Sequence, residues 1–130
     1  MGTNNPRIVA FCCEESGMPA YEHALSLGLD LPEGLKVVAL PCGGKAETGY
    51  IMKALDEGAD AVMIFACYEG NCKYVRGNIR AEKRVNYLKE RLGKIGVSPD
   101  RITFCPVAPA SGARFAELIR QEVEILREGR

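Results

Sequence analysis

The sequence predicts one α/β domain in which four βα units form a three-layer sandwich around a four-stranded parallel sheet. Short apolar runs alternate along the chain with segments whose apolar residues recur at helical spacing. These runs are continuous rather than alternating in polarity, which indicates strands buried on both faces by helices. The 130 residues have the size of one domain, without a linker or low-complexity segment. The expected fold is therefore flavodoxin-like or Rossmann-like and spans residues 1–130.

The first two units are read from an apolar run and from the glycine that follows each helix. The run 7–11 predicts the first strand, Pro19 suits the first turn of the following helix, and Gly28 suits its end. The run 36–40 predicts the second strand, and Gly58 ends the second helix. The predicted buried faces of these helices are Tyr21, Ala24 and Leu25 in the first and Tyr50, Ile51, Ala54 and Leu55 in the second.

The last two units have longer helices with clearer apolar stripes. The run 61–66 predicts the third strand, and the third helix is expected over residues 77–93. The run 101–104 predicts the fourth strand, with Ser111 as the N-cap of the last helix and Glu122 interrupting its apolar face. The predicted faces are Ala81, Val85, Leu88, Leu92 and Ile95 on the third helix, then Phe115, Leu118, Ile119, Glu122 and Leu126 on the fourth, where Val123 is an alternative to Glu122 in the core.

Composition and charge exclude several classes of function. Lys and Arg together number 17, as do Asp and Glu, so the net charge is zero and a dedicated nucleic-acid-binding surface is not expected. No apolar run has the length of a membrane span. The first residues lack the basic and apolar regions of a signal peptide, which predicts a cytoplasmic protein.

The six cysteines are the most informative feature of the sequence, because every predicted strand is followed by at least one of them. The carboxyl ends of parallel strands share one edge of the sheet, where such folds bind their ligands. The sequence therefore predicts that the thiols converge on that edge. Cys12 and Cys13 follow the first strand, Cys42 the second, Cys67 and Cys72 the third, and Cys105 the fourth.

Converging thiolates are ligands for soft metals, namely zinc, copper(I) or an iron–sulfur cluster. A [2Fe-2S] cluster accommodates single thiols from separate strands better than structural zinc, which favours short pairs of ligands. The glycines in the thiol loops, Gly43, Gly44 and Gly70, would let backbone N–H groups approach the sulfurs. Two alternatives remain open: a module without iron that binds zinc or cycles a disulfide, for example between Cys67 and Cys72, and cysteines that only pack in the core.

A basic stripe is predicted beside the thiol loop, which is the loop that carries Cys67 and Cys72. The stripe comprises Lys73, Arg76, Arg80 and Arg84 on the third helix. It either docks an acidic partner or is a solvated helix face.

Other classes of site are not indicated by the sequence. Neither a phosphate-binding loop nor a dinucleotide fingerprint is present, so nucleotide binding is not expected. The only histidine, His23, lies in the first helix, and no Cys–His nucleophile pair is suggested.

The thiol loop and the stretches around the other cysteines resemble a known family over roughly residues 6–126. That family is the delta subunit of methyl-viologen-reducing (F420-non-reducing) hydrogenase, an iron–sulfur protein. The matching segments are Cys67-x-x-Gly70-x-Cys72-x-Tyr74-x-x-Gly77-Asn78, Ala81-Glu82-Lys83-Arg84, Phe11-Cys12-Cys13, Cys42-Gly43 and Glu57-Gly58-Ala59-Asp60.

The resemblance implies an electron-transfer module without substrate chemistry of its own. It implies one [2Fe-2S] cluster that relays electrons from hydrogenase subunits to the flavin-containing subunit of heterodisulfide reductase. Two departures from the family pattern stand out: Ser16 occupies the position of a third thiol in the first loop, and Cys105 is extra. The implied ligands are Cys12 or Cys13, Cys42, Cys67 and Cys72, with Gly43 and Gly70 beside the cluster.

Overall fold

The computed structural model describes residues 6–40, 48–66, 77–94 and 101–128, with the backbone alone at 48, 77–81 and 84. The predicted alternation of strands and helices is confirmed. No helix among the described residues is long and apolar enough to cross a membrane. The elements are β1 (Ile8–Cys13), α1 (Gly17–Ser26), β2 (Leu35–Leu40), α2 (Thr48–Asp56), β3 (Ala61–Ala66), α3 (Gly77–Lys94), β4 (Ile102–Pro106) and α4 (Gly112–Arg127).

The four strands form one parallel sheet in the order β2-β1-β3-β4. The chain runs from the central strand β1 outward to β2, crosses back to β3 beside β1, and then continues outward to β4. The direction of winding therefore reverses between β1 and β3, as in flavodoxin-like sheets. Ligands of such sheets bind in the crevice outside the carboxyl ends of the two strands at this reversal.

Helices cover both faces of the sheet and create two hydrophobic cores. α1 and α4 pack on one face, where the Phe65 and Phe115 rings lie 4.4 Å apart between centroids. α2 and α3 pack on the other face, with Ile51 and Val85 fully or almost fully buried. The three-layer arrangement predicted from the sequence is thus confirmed.

The strands differ in burial according to their place in the sheet. β3 is buried at every residue because it has a strand on each side and a helix layer on each face. β2 is an edge strand, and Lys36 and Ala39 on it are exposed. The prediction of burial on both faces therefore holds for the central strands but not for β2.

The predicted ends of the first two helices are confirmed, whereas part of their buried faces is not. Gly28 and Gly58 have φ angles of 72° and 102°, the left-handed conformation that commonly ends a helix. Leu25 and Tyr50, which were expected in the core, are 51% and 53% exposed. Both residues lie at the margin of their helix's apolar face, and helical spacing alone does not tell whether a residue at that margin is buried or exposed.

The start of α4 is joined to α1 by a histidine. The N–H groups of the first helical turn have no partner within the helix. One of them, the Gly112 N–H, donates to His23 Nδ1 at 2.9 Å. Ser111 is the N-cap, as predicted, but its hydroxyl makes no capping hydrogen bond. Further along α4, Glu122 and Val123 are both buried. The acidic residue that was predicted to interrupt the apolar face is therefore buried beside it.

Candidate metal centre

Three of the predicted ligand positions lie outside the described residues, and the structure places the other cysteines inside strands. β1 runs two residues further than predicted, so that Cys12 and Cys13 are its last residues. Cys105 is likewise the penultimate residue of β4. Successive side chains of a strand point to opposite faces, so the two neighbouring thiols of β1 lie in different surroundings. The predicted site residues outside the described ranges are Cys42, Gly43, Cys67, Gly70 and Cys72.

Cys12 faces the core between the sheet and the α1–α4 layer. The strand register places it in one row with Phe65 and Cys105, and its exposed fraction is 0%. Its Sγ lies 3.9 Å from the Ala10 carbonyl oxygen. Burial, followed by the charges of Cys13 and Cys105, raises the pKa of this thiol to about 12. At neutral pH, Cys12 is therefore a protonated packing group.

Cys105 belongs to the same core. Burial raises the pKa of its thiol to about 12, and Glu122 acts in the same direction, while Arg114 and Lys89 partly offset both effects. The arrangement differs from the expectation that all six cysteines meet at the edge of the sheet, because strand pairing carries Cys12 and Cys105 inward.

Cys13 is the last residue of β1 at the carboxyl end of the sheet. It is buried, at 1% exposed, but it belongs to neither of the two clusters of core residues. Its Sγ lies 2.9 Å from Ser16 Oγ, and the Gly17 N–H donates to the same sulfur at 3.5 Å. A backbone hydrogen bond of 2.8 Å from the Glu14 N–H to the Leu40 oxygen ties this end of β1 to β2. The sulfur is thus held in place by the chain that follows the strand.

Ser16 contacts the Cys13 sulfur, and the sequence does not predict this contact. It is 1% exposed and is the N-cap of α1, its carbonyl oxygen accepting from the Ala20 N–H at 2.9 Å. Its hydroxyl makes no capping hydrogen bond and instead contacts Cys13 Sγ. The available signal was the spacing of three residues between Cys13 and a serine just before a predicted helix start.

Gly17 brings the start of α1 directly onto the central strands. A Cβ added there would lie 2.6 Å from the Phe65 carbonyl oxygen and 2.9 Å from Cys12 Cα. Only glycine permits this approach, which places the N-terminus of α1 at the reversal between β1 and β3. The unpaired N–H groups and the dipole of a helix N-terminus stabilise negative charge, including that of a thiolate.

The described thiols differ in their fitness as metal ligands. A ligand thiol must be deprotonated, which does not fit Cys12 in an apolar core with its raised pKa. The Cys13 sulfur instead lies within hydrogen-bond distance of the Ser16 hydroxyl and the Gly17 N–H. Within the described ranges, no group of three His, Cys, Asp or Glu residues is close enough to hold a metal ion. A complete ligand set therefore needs cysteines beyond those ranges, such as Cys67, which follows the last residue of β3.

The raised pKa of Cys105 predicts a loss of stability at alkaline pH. The ordinary pKa of a thiol is 9.0, and below this pH both the folded and the unfolded chain keep the Cys105 proton. Between pH 9.0 and about 12, the unfolded chain releases the proton while the folded chain keeps it. The free energy of unfolding should fall with a slope approaching about 1.4 kcal/mol per pH unit from this residue.

Chemical denaturation of the protein and of Cys105→Ala at pH 8 and pH 10 isolates this contribution. The original protein should lose about 1 kcal/mol more than the variant between these two pH values. Parallel losses in the two proteins would contradict a protonated, buried Cys105.

Comparison with known proteins adds relatives that match most of the chain. The family model described as "Methyl-viologen-reducing hydrogenase, delta subunit" matches residues 8–128. An F420-non-reducing hydrogenase vhu iron-sulfur subunit of Methanocaldococcus jannaschii is 35% identical over 90% of this chain and 87% of its own length. The F420-non-reducing hydrogenase iron-sulfur subunit of Archaeoglobus profundus is 34% identical over 89% of this chain and 85% of its own length.

A second kind of relative is much longer than this chain. A ferredoxin/F(420)H(2)-dependent CoB-CoM heterodisulfide reductase subunit of Methanosarcina acetivorans is 31% identical over 95% of this chain, which covers 16% of that protein. The same domain therefore occurs both as a separate protein and within a larger reductase polypeptide. The family model and the relatives of similar length agree, and the chain belongs to the methyl-viologen-reducing hydrogenase delta subunit family.

Proposed function

We propose that the protein is an electron-transfer subunit that carries one [2Fe-2S] cluster at the carboxyl end of its sheet. The observation that carries this proposal is the placement of the Cys13 sulfur beside the Ser16 hydroxyl and the first N–H of α1, at the winding reversal. The relatives of similar length are named iron–sulfur subunits, which supports an iron–sulfur cofactor. The proposed ligands are Cys13, Cys42, Cys67 and Cys72.

The choice of Cys13 over Cys12 follows from their surroundings. Cys12 lies in the row with Phe65 and Cys105 beneath α1 and α4, and a cluster there would displace the aromatic core. Cys13 is buried but belongs to neither core cluster, and it directly precedes the loop that leads to α1. Cys67 directly follows β3 in the sequence, and β3 is the neighbour of β1, so ligands at 13 and 67 would flank the reversal from both strands.

The cluster would supply the ability to accept and donate one electron at a time, and the protein would hold it and limit its contact with water. Gly43 and Gly70 would allow backbone N–H groups close to the sulfurs. No bond chemistry on a substrate is proposed for this chain. A cluster at the edge of the sheet would suit electron transfer, because it would lie close to a docked partner.

The proposed partners are hydrogenase subunits as donor and the flavin-containing subunit of heterodisulfide reductase as acceptor, in the cytoplasm. The match to a segment of a longer heterodisulfide reductase protein supports the second association, since domains joined in one protein commonly work together. The names of the shorter relatives support the first.

Anaerobic stopped-flow mixing tests this relay. The protein is reduced with dithionite, freed of excess reductant and mixed with the oxidised flavin-containing subunit. We expect the flavin to be reduced while the visible absorption of the oxidised cluster returns, with Cys13→Ala as a control that transfers no electrons. A cluster that stays reduced next to an oxidised flavin of higher potential would contradict the proposed relay.

A further inference from the structure

The contact between Ser16 and Cys13 has a consequence for the redox properties of the proposed cluster. The two side-chain atoms are 2.9 Å apart, and Ser16 is 1% exposed, so water does not compete for its hydroxyl. Either atom is able to donate this hydrogen bond when Cys13 is a thiol. A metal-bound cysteine is a thiolate without a proton, which leaves the Ser16 hydroxyl as the donor.

Helix capping does not explain this orientation of Ser16. A serine at an N-cap ordinarily turns its oxygen toward the N–H groups of the first helical turn and accepts a hydrogen bond from one of them. Ser16 has φ −141° and ψ −50°, and its hydroxyl makes no such bond. The side chain therefore forgoes a local stabilising interaction and contacts the sulfur at the end of β1 instead.

The backbone around Ser16 holds this contact in place. The Ser16 carbonyl oxygen accepts from the Ala20 N–H at 2.9 Å, which fixes the residue to the first turn of α1. The next residue, Gly17, packs against Phe65 and Cys12 too closely for any side chain. The hydroxyl thus approaches Cys13 from a residue that is fixed to the first turn of α1 and directly precedes a close contact with the sheet.

We infer that Ser16 is a positioning residue that raises the reduction potential of the cluster by donating a hydrogen bond to the Cys13 thiolate; this rests on the proposed function. Reduction adds negative charge to the cluster and its sulfur ligands. A hydrogen bond to a ligand sulfur is stronger in the more negative state and therefore favours the reduced form. Ser16 would thus exert its effect through Cys13, without contacting iron.

Redox titration of matched variants, followed by EPR under anaerobic conditions, tests this inference. Ser16→Ala should keep the same iron and sulfide content per chain, while its reduced form becomes less favoured by about tenfold, a negative shift of about 59 mV for one electron. Ser26→Ala is the matched control, because it removes a hydroxyl from the other end of α1, where Ser26 Oγ donates to the His23 carbonyl oxygen. Its potential should equal that of the original protein.

A second pair of variants keeps the test decisive if Ser16→Ala folds poorly. Ser16→Thr and Ser16→Val have the same shape and differ in the hydroxyl, and the threonine variant should have the higher potential. Equal potentials in both comparisons would overturn the role of Ser16 while leaving the proposed cluster intact. Loss of iron in Ser16→Ala with retention in Ser16→Cys would also overturn it, since residue 16 would then be a ligand. An original protein without iron would instead overturn the proposed function itself.

Discussion

Replacing Cys13 with alanine is expected to abolish cluster binding, whereas replacing Cys12 with alanine is expected to leave the cluster in place. The two thiols are neighbours in sequence, but they lie on opposite faces of β1. The Cys13 sulfur shares a hydrogen bond with the Ser16 hydroxyl and accepts one from the Gly17 N–H, while Cys12 is packed in the core with a pKa of about 12. Iron and acid-labile sulfide in the anaerobically purified proteins should fall from about two of each per chain to none only in Cys13→Ala.

Two controls make this comparison specific. Cys105→Ala should retain the cluster, because Cys105 lies in the same core as Cys12. Cys12→Ala should lower the free energy of unfolding by about 1 kcal/mol through the small cavity that it leaves. If iron were lost in Cys12→Ala and kept in Cys13→Ala, the ligand assignment at β1 would be reversed.

The Gly17→Ala substitution is expected to destabilise the fold by about 1–3 kcal/mol, because the added methyl group overpacks a rigid junction. Its Cβ would lie 2.6 Å from the Phe65 carbonyl oxygen and 2.9 Å from Cys12 Cα, and backbone atoms of central strands do not yield easily. The first turn of α1 would have to move away from the sheet and carry Ser16 with it. Urea denaturation followed by circular dichroism measures this loss.

Gly93→Ala provides the control for the same chemical change. Gly93 is an exposed residue of α3, and beyond its own helix backbone an added Cβ would have no described atom within 4 Å. Alanine is the better helix former, so this variant should be more stable than the original protein by about 0.5–1 kcal/mol. Equal stability of Gly17→Ala and Gly93→Ala would contradict the close approach of α1 to the sheet.

The architecture of the domain could be predicted because its signals are local and repeated. The continuous apolar run of β3 and the stripe of Val85, Leu88 and Leu92 on α3 each reflect burial that the structure shows. The place of each strand in the sheet could not be predicted, because the periodicity of a segment does not identify its neighbours. β2 reads like a central strand in sequence, yet it lies at the edge of the sheet and exposes Lys36.

For the described cysteines, the sequence predicted a place near the carboxyl ends of the strands but not the face on which each thiol lies. β1 extends two residues further than predicted, and alternation along the strand turns Cys12 toward the core. Cys12 and Cys13 are identical in type and adjacent in sequence, and only the strand register separates them. The contact between Ser16 and Cys13 could not be predicted for the same reason, since it depends on the geometry of the loop before α1.

The most direct test of the proposed cluster is spectroscopy of the protein purified without oxygen. The oxidised protein should be brown, with about two irons and two sulfides per chain. After reduction with dithionite, its EPR spectrum should show the signal of one unpaired electron delocalised over a reduced [2Fe-2S] centre, and Cys13→Ala should lack it. A colourless protein that holds zinc, or only free thiols or a disulfide, would contradict the account.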